Sequence, residues 1–490
     1  MLASGVAQRI SGPIERALIQ SMQNAFSFAA LSAPFLVAFI LPLLGVGWAA
    51  VGSRFPVVWV ALYFSLLFFF PNASWGLLDP SDTNNFYSRG TGTFYFSAIN
   101  VLLFGLALQA FIARGFRVVE PVKHNFGYLA LLFWAIILGN VVVGSILDDV
   151  RWYDIVGYSG LLNIANFMLS FYVLLSFMRT PKDLERLINI LLFCAVARGL
   201  WGAVRFFALG GDPANFYSNF QGIDIRLTFF DINDSLIALL ALFIVSWRLA
   251  NGLYATQRER LLYWSVVALE LFIIVFSYRR TAWGGLALAA ILFAFVQRSS
   301  LRRALFLVYA LFGVPAFIYK MVQRAGEGMA GAPLLEKMLP DIASGGGLQF
   351  TSGRFAELYA ALLSIKDSPI WGLGAWGRYD GFRFSELAWH RGDFGWMHSG
   401  VLHLMLKSGL LGAGISVAAL IALAQHIRQN KCELGQRELG ILLAGGAGVL
   451  FLLPNWLIGT PVIEFRTMQL SAFVMALPYL AVAAARAGRS

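Results

Sequence analysis

Long apolar segments, separated by shorter polar stretches, recur along the whole chain. An α-helix needs about 20 predominantly apolar residues to cross the hydrocarbon core of a bilayer. The pattern therefore predicts membrane-spanning helices at 25–47, 55–71, 93–113, 126–147, 156–178, 187–208, 228–247, 261–279, 282–298, 304–321, 396–425, 438–458 and 465–485. Because Pro34 and Pro42 make the first segment irregular, the total is 12 or 13 spans, and the predicted fold class is an all-α polytopic membrane bundle.

The polar segments predict how the chain is organised. Residues 1–23 mix charged and apolar positions and are predicted to form an amphipathic segment on the membrane surface. The first part of the bundle occupies 24–321, and the C-terminal spans occupy 396–490. Between them, 322–395 is the longest polar segment, and we expect a large loop that contains short helices, including an amphipathic helix at 353–366.

Composition supports a membrane protein. The chain of 490 residues is 59% hydrophobic and only 13% charged, with a mean hydropathy of +0.70, whereas soluble domains carry about 25% charged residues. The net charge of +11 would suggest nucleic-acid binding in a soluble protein. Here it indicates basic cytoplasmic loops instead, with no nucleic-acid partner. Cys194 and Cys432 are far apart and predict neither a disulfide framework nor a cysteine metal site.

Lysine and arginine are concentrated in alternate loops. This basic set comprises Arg114, Arg117, Lys123, Arg179, Lys182, Arg186, Arg248, Arg258, Arg260, Arg298, Arg302, Arg303, Arg428, Lys431, Arg437, Arg486 and Arg489. The positive-inside rule predicts that these loops are cytoplasmic, so that the large loop at 322–395 faces outward. The first two spans would leave the N-terminus outside, which conflicts with Arg9 and Arg16.

Several arginines lie inside spans or on the predicted outer side. They are Arg198, Arg205, Arg226, Arg279, Arg280, Arg354, Arg378 and Arg466. Ionisable groups inside a membrane are costly and face a polar interior or a partner. One interpretation is that each arginine pairs with a carboxylate such as Glu270, Asp231 or Asp234, or reaches the headgroups. The other is that together they bind a phosphate or diphosphate, to which guanidinium groups donate two hydrogen bonds at once.

Two histidines begin the span that follows the large loop. His398 and His403 are five residues apart, whereas a metal-binding pair on one helix face needs a spacing of four, so the spacing argues against a metal site. A histidine at the mouth of a span can act as a general base, and His398 is the candidate. The alternative is an interfacial histidine that hydrogen-bonds headgroups or loop carbonyls.

Four segments carry four of these arginines and this histidine in a recognisable order. They are 226–234 (RLTFFDIND), 277–283 (SYRRTAW), 352–355 (SGRF) with 367–374 (DSPIWGLG), and 398–412, which begins HSGVLH and ends KSGLLG. Together they resemble the motifs of the bacterial O-antigen ligase and polysaccharide polymerase superfamily of membrane glycosyltransferases, over roughly 220–415. Ser399 stands where the family has Asn and Ile232 where it has Pro.

The resemblance implies a C-type glycosyltransferase bundle in the bacterial inner membrane, with its active site facing the periplasm. The donor would be an undecaprenyl-diphosphate-linked glycan, and the acceptor a glycan or the lipid A core. His398 would be the catalytic base, and no metal or cofactor would be needed for a transfer that inverts the anomeric centre. The residues implied to bind the donor diphosphate are Arg226, Arg280, its alternative Arg279, and Arg205. Those implied to contact loop or substrate are Arg354, Asp231 and Asn233.

Two function classes are compatible with the sequence. The first is the glycan transferase, which acts either as a polymerase that extends a carrier-bound glycan or as a ligase that passes it to another acceptor. The second is a transporter or flippase for a glycolipid or anionic solute, which would predict two similar halves and spans broken at mid-membrane. No such repeat is evident, and the unusual charges lie toward one side, which favours the transferase.

Overall fold

Most of the chain that the structure describes is α-helical, as the apolar segments predict. The computed structural model describes residues 55–69, 98–116, 121–146, 155, 161–208, 231–277, 279–297, 299–300, 302–311, 354–374, 377–385 and 388–489. The predicted surface segment at 1–23, the first predicted span at 25–47 and Arg226 lie outside these residues. The domain boundaries therefore stay predictions.

Helices account for all but two of the regular elements in the described residues. Before the large loop they are α1 (Pro56–Phe69), α2 (Ala98–Gly115), α3 (Gly127–Ile146), α4 (Leu161–Phe177), α5 (Pro181–Ala208), α6 (Ile232–Ala250), α7 (Gln257–Phe276), α8 (Arg280–Val296) and α9 (302–311). From the loop onward they are α10 (Arg354–Ile365), β1 (Tyr379–Ser385), β2 (Ala388–Phe394), α11 (Gly400–Asn430), α12 (Gln436–Ile458) and α13 (Phe465–Ala487).

Six of these helices are long and apolar enough to cross a membrane: α3, α5, α6, α11, α12 and α13. The helices α1, α2, α4 and α8 are apolar but shorter. Each of these ten helices coincides with a predicted span to within a few residues at most ends. The largest early start is α5, which begins at Pro181 rather than at 187 because the Thr180 hydroxyl accepts a hydrogen bond from the Asp183 amide and caps a polar first turn.

The centre of the bundle is formed by α6, α12 and α13. Every residue of α6 from Ile232 to Arg248 is buried, as expected for a helix that is surrounded by others. Glycines on α12 allow α13 to approach closely. A Cβ atom at Gly445 would lie 2.6 Å from Pro478 Cδ, and one at Gly448 would lie 2.6 Å from Val474 Cγ1. Small residues at such crossings are typical of helix packing in membranes.

Polar contacts join the basic loops at one end of the bundle, which we call the basic end. Arg437 pairs with Glu185 at 3.1 Å between the starts of α12 and α5. Arg486 donates to the Asn430 side chain at 3.2 Å, between the ends of α13 and α11. These contacts fit the alternation of loops that the basic residues predict. The start of α11 and the start of α13 lie at the opposite end, which we call the site end.

The large loop contains a β-hairpin that the sequence-based expectation of short helices did not include. Strands β1 and β2 pair antiparallel, with Tyr379 opposite Phe394 and Ser385 opposite Ala388. The hairpin and α10 share a small apolar core with the start of α11, formed by Ala361, Ile365, Tyr379, Met397 and Leu406. The loop therefore packs as a unit on the site end. We call residues 354–399 the loop unit.

Candidate active site

His398 lies just before α11 and binds a buried carboxylate of the loop unit. Its Nδ1 atom is 2.8 Å from Glu357 Oε2. The Glu357 side chain has no exposed surface, whereas the His398 side chain is 18% exposed. Since Nδ1 faces the carboxylate, the second ring nitrogen is the one left for a ligand. This His–carboxylate pair is the arrangement that orients a histidine for proton transfer.

Two further groups hold the carboxylate in place. The backbone N–H of His398 donates to Glu357 Oε1 at 3.1 Å, and the Tyr379 hydroxyl donates to the same oxygen at 3.2 Å. Both carboxylate oxygens of Glu357 thus accept hydrogen bonds, which satisfies a buried charge. The carboxylate comes from α10 and the hydroxyl from β1, so the pair joins three parts of the site end.

The local backbone keeps His398 outside the helix. Ser399 is the N-cap of α11, with φ −158° and ψ 114°, and its hydroxyl accepts from the Leu402 amide at 3.3 Å. A serine cap satisfies one of the free amides of the first turn. The Trp396 ring packs edge-on against the His398 ring with centroids 5.6 Å apart. Residues before and after His398 in the sequence, Trp396 and Ser399, therefore hold it in place.

The other histidine of this segment has a different environment. His403 has no exposed surface and faces the interior of the bundle. One helical turn further, Lys407 is also buried, and its Nζ donates to the Gly395 carbonyl at 2.9 Å. The lysine thereby ties α11 to the end of β2. Among the described residues, no group of three His, Cys, Asp or Glu side chains is placed to hold a metal ion.

Helix α11 is broken at Gly409, and the loop unit fills the break. Gly409 has φ 60° and ψ −162°, a region that is essentially restricted to glycine. The amides of Leu410 and Leu411 donate to the carbonyls of Pro369 and Ile370 at 2.8 and 3.3 Å. The Leu406 carbonyl accepts from the amide of Leu373 at 2.7 Å. The loop chain thus supplies the hydrogen bonds that an intact helix would have made.

An apolar groove of about 780 Å³ runs between α3 and residues 368–374. Leu132 and Ile136 line one wall, and Trp371 lines the other. Asn140 also lines the groove. Its side-chain amide donates to the carbonyls of Trp371 and Lys407 at 2.9 and 2.7 Å. The same loop segment therefore borders the groove on one side and the break in α11 on the other.

Arg466 is part of a buried charge network at the start of α13. It has no exposed surface and donates to Asp234 Oδ1 at 2.9 Å and to Asp231 Oδ1 at 3.3 Å. It also donates to the carbonyls of Leu67 and Phe68, at the end of α1, at 2.7 and 3.1 Å. The guanidinium group thus provides hydrogen bonds to the last carbonyls of α1 and to the two carboxylates at the start of α6.

Arg198 joins the same network from the middle of α5. Its Nη2 atom lies 3.0 Å from Asp234 Oδ2, and both side chains are buried. For Arg198 and Arg466, the interpretation as carboxylate-paired arginines is therefore correct. Arg205 lies two turns further along α5 and is also buried, with 2% of its surface exposed.

Asp231 is the N-cap residue of α6, and Asn233 lies in the first turn of the helix. The Asp231 carboxylate accepts from the amides of Asn233 and Asp234 at 2.8 and 2.9 Å, and the Asp234 carboxylate accepts from the Asp231 amide at 3.3 Å. This reciprocal pattern is a capping box. These two residues, expected to contact loop or substrate, thus hold the helix end.

Glu464 is the N-cap residue of α13 and lies close to these charges. Burial raises the pKa of the Glu464 carboxyl, hydrogen bonds from the Thr460 and Thr467 hydroxyls lower it, the negative charge of Asp231 raises it and the positive charge of Arg279 lowers it. Arg279 is itself the N-cap residue of α8. The site end therefore combines acidic and basic groups from α6, α8 and α13.

The predicted site residues are described to different extents. His398, Arg279, Arg205, Asp231 and Asn233 are placed as given above. Arg280 is the first residue of α8 and Arg354 the first of α10; the positions of their side chains lie outside what the structure describes. Glu357, which binds His398, was not among the predicted site residues.

These elements define a polytopic helical membrane protein with a His–carboxylate pair at one end. Residues 265–417 match the family model described as O-Antigen ligase, Wzy_C. This stretch runs from α7 to the first part of α11 and contains Arg279, Arg280, Arg354, Glu357 and His398. The resemblance to the O-antigen ligase superfamily, whose members are glycosyltransferases, is confirmed over these residues. Among curated proteins, no sequence matches the chain.

Proposed function

We propose that the protein is an inner-membrane glycosyltransferase that transfers a glycan from an undecaprenyl-diphosphate carrier to a sugar hydroxyl on the periplasmic side. The observation that carries this proposal is the contact of His398 Nδ1 with the buried Glu357 carboxylate at 2.8 Å. It lies within the O-antigen ligase match. The family description supplies the class of reaction, and the pair supplies a group that can perform its proton transfer.

The reaction is a single displacement at the anomeric carbon. The acceptor oxygen attacks that carbon as the bond to the carrier diphosphate breaks, and the bonding electrons leave with the diphosphate. His398 accepts the hydroxyl proton through Nε2, because Nδ1 is engaged by Glu357. Attack opposite the leaving group inverts the anomeric centre. No metal is required if guanidinium groups stabilise the departing diphosphate.

Arg226 and Arg280 are the arginines proposed to bind the diphosphate, with Arg279 as the alternative to Arg280. Arg279 and Arg280 begin α8, where the positive end of the helix dipole adds to their charge. The charge of Arg279 acts on Glu464, so Arg280 is the stronger candidate. Arg205 is proposed as a further donor contact, and Arg354, Asp231 and Asn233 as loop or substrate contacts.

The bundle is proposed to be of the C-type, with the site end facing the periplasm. The positive-inside rule assigns the basic end to the cytoplasm. The apolar groove beside Trp371 is open toward lipid along α3, where Leu132 and Val143 are exposed. It is a suitable place for the isoprenoid chain of the carrier. Polymerase and ligase differ only in the acceptor.

The test is glycan transfer by the purified protein in detergent, from an undecaprenyl-diphosphate glycan, with EDTA present. Removing a general base costs about 100- to 10,000-fold in rate, so His398→Ala should lose at least 100-fold, and Arg280→Ala should be similarly impaired. Controls at the basic end are His124→Ala and Arg437→Ala, which should keep the wild-type rate. The size and acceptor of the product distinguish polymerase from ligase.

The proposal fails if His398→Ala forms the same product as the wild-type protein and does so at the wild-type rate. If the wild type forms no product with any acceptor but moves glycolipid between vesicle leaflets, the transporter takes its place. If EDTA abolishes transfer, the metal-independent mechanism is wrong, whatever the variants do.

A further inference from the structure

We infer that Glu357 is a positioning residue that sets the tautomer of His398 and stabilises its protonated form. The inference rests on the proposed function, in which His398 is the base. Glu357 itself contacts neither the acceptor nor the donor in this scheme. It acts through the imidazole ring that it binds.

The geometry around Glu357 determines which ring nitrogen carries the proton. A carboxylate can only accept hydrogen bonds, so the contact of 2.8 Å between Oε2 and Nδ1 places the proton of the neutral ring on Nδ1. The other carboxylate oxygen is occupied by the His398 amide and the Tyr379 hydroxyl. Three hydrogen bonds therefore hold the Glu357 carboxylate in place. Nε2 is left with a lone pair, as a general base requires.

The charge of Glu357 matters at the next step. When His398 takes the acceptor proton, the ring becomes an imidazolium cation beside a fully buried anion. In a site from which water is largely excluded, such a pair stabilises the charge that develops during the reaction. The same division of roles between a carboxylate and a histidine recurs in hydrolases of unrelated folds.

Glu357 also makes the site depend on the loop unit. It lies in the first turn of α10, 41 residues before His398, and reaches the histidine only because α10 packs on β1 and α11. Gly381 of β1 makes this close packing possible, since a Cβ atom there would lie 2.5 Å from Ala360 Cβ. A bundle without a docked loop unit would lack the partner of its base.

The first experiment reads the tautomer directly. Solid-state NMR of the wild-type protein labelled with 15N-histidine reports the protonated nitrogen of each ring, and the signal missing from His398→Ala assigns His398. At neutral pH we expect the proton on Nδ1. A wild-type ring with its proton on Nε2 alone would overturn the inference, and this result does not depend on any variant of Glu357.

The second experiment compares kcat and KM of Glu357→Gln and Asp380→Asn, which remove one carboxylate each from the loop unit; Asp380 is exposed. An amide at 357 can donate to Nδ1 and reverse the tautomer, so we expect kcat to fall by about 100- to 10,000-fold with KM little changed. Asp380→Asn should change neither quantity.

The nearby charges do not confound this comparison. Glu357→Gln leaves every other charged residue of the chain unchanged, among them Arg378, Asp380 and Asp393 on or beside the hairpin and Lys407 on α11. If Glu357→Gln keeps the wild-type kcat while His398→Ala is inactive, the inference fails and the proposed function stands. If His398→Ala is active, it is the proposed function that fails.

Discussion

Arg466 shows how a charged side chain can be structural inside a membrane bundle. It donates to two carboxylates of α6 and to two carbonyls at the end of α1, so its charge and its N–H groups are used together. Removing one partner of such a buried network is costly because the remaining charges lose their compensation. The arginine therefore fixes the start of α13 against α1 and α6.

We expect Arg466→Ala to destabilise the protein by about 3–5 kcal/mol, since Asp231 and Asp234 would keep their charges without this partner. The matched control is Arg437→Ala, which removes the half-exposed pair with Glu185 and should cost at most about 1 kcal/mol. Thermal unfolding in detergent compares the two variants with the wild type. Equal melting temperatures for both variants would contradict a structural role for Arg466.

A single contact between two residues explains why the sequence indicated His398 but not Glu357. Their contact spans 41 residues and depends on how α10 docks, which no spacing rule provides. A signal was nevertheless present. Glu357, Ala361 and Ile365 recur every fourth residue, so the carboxylate lies on the face of α10 that carries buried apolar side chains. A carboxylate in line with an apolar face indicates a buried partner.

At the scale of elements, α11 is two half-helices joined at Gly409. The break would leave amides and carbonyls without partners, which is expensive in a membrane unless protein supplies them. Here Pro369, Ile370 and Leu373 supply them from the loop unit. The glycine is required twice, because its backbone conformation excludes other residues and because a Cβ atom would meet the Ile370 carbonyl.

Gly409→Ala should therefore lower the free energy of unfolding by at least about 1–3 kcal/mol from backbone strain, and it should lower transfer as the loop unit shifts. The control on the same helix is Gly414→Ala, where a Cβ atom meets nothing within 4 Å. That change should stabilise the helix by up to about 1 kcal/mol. Denaturant unfolding followed by Trp fluorescence checks both, and a neutral Gly409→Ala would refute the importance of the break.

The sequence pattern predicted the elements of the bundle and the loop helix at 353–366, which is α10, but not the hairpin of the loop. The apolar helices satisfy their own backbone groups, so their positions follow from local sequence. The hairpin does not, since each strand of it is completed by the other. The alternation of apolar and polar residues is short, as in Phe382-Arg383-Phe384, so the sequence pattern predicted only helices in the loop. The packing of α10 on β1 likewise depends on contacts between distant residues.

At the scale of the whole molecule, the contacts divide the bundle into a basic end and a site end. Glu185, Asn251, Asn430 and their arginine partners Arg437, Arg302 and Arg486 all lie at the basic end. The pairs His398–Glu357 and Arg466–Asp234 lie at the other. The contacts of the described residues therefore separate these arginine pairs at the basic end from the candidate chemistry at the site end.

This separation predicts an orientation that native cysteines can report. Cys432 is exposed at the basic end, whereas Cys194 is buried. A membrane-impermeant maleimide should therefore leave Cys432 unmodified in intact spheroplasts and modify it in inverted membrane vesicles. Asp380→Cys, in a Cys432→Ser background, should show the reverse. Labelling of Cys432 in intact spheroplasts would place the basic end outside and overturn the proposed topology.

The junction at Gly409 has an evolutionary consequence. At the break, the loop unit is joined to α11 mainly through main-chain hydrogen bonds. They run from Pro369, Ile370 and Leu373 to Leu406, Leu410 and Leu411. The Asn140 side chain of α3 also donates to a main-chain carbonyl of the loop unit, that of Trp371. Main-chain bonds are indifferent to most side-chain replacements. The outward-facing side chains of the loop unit can therefore diversify to recognise new sugars. The main-chain bonds to α11 meanwhile keep the loop unit and His398 in place.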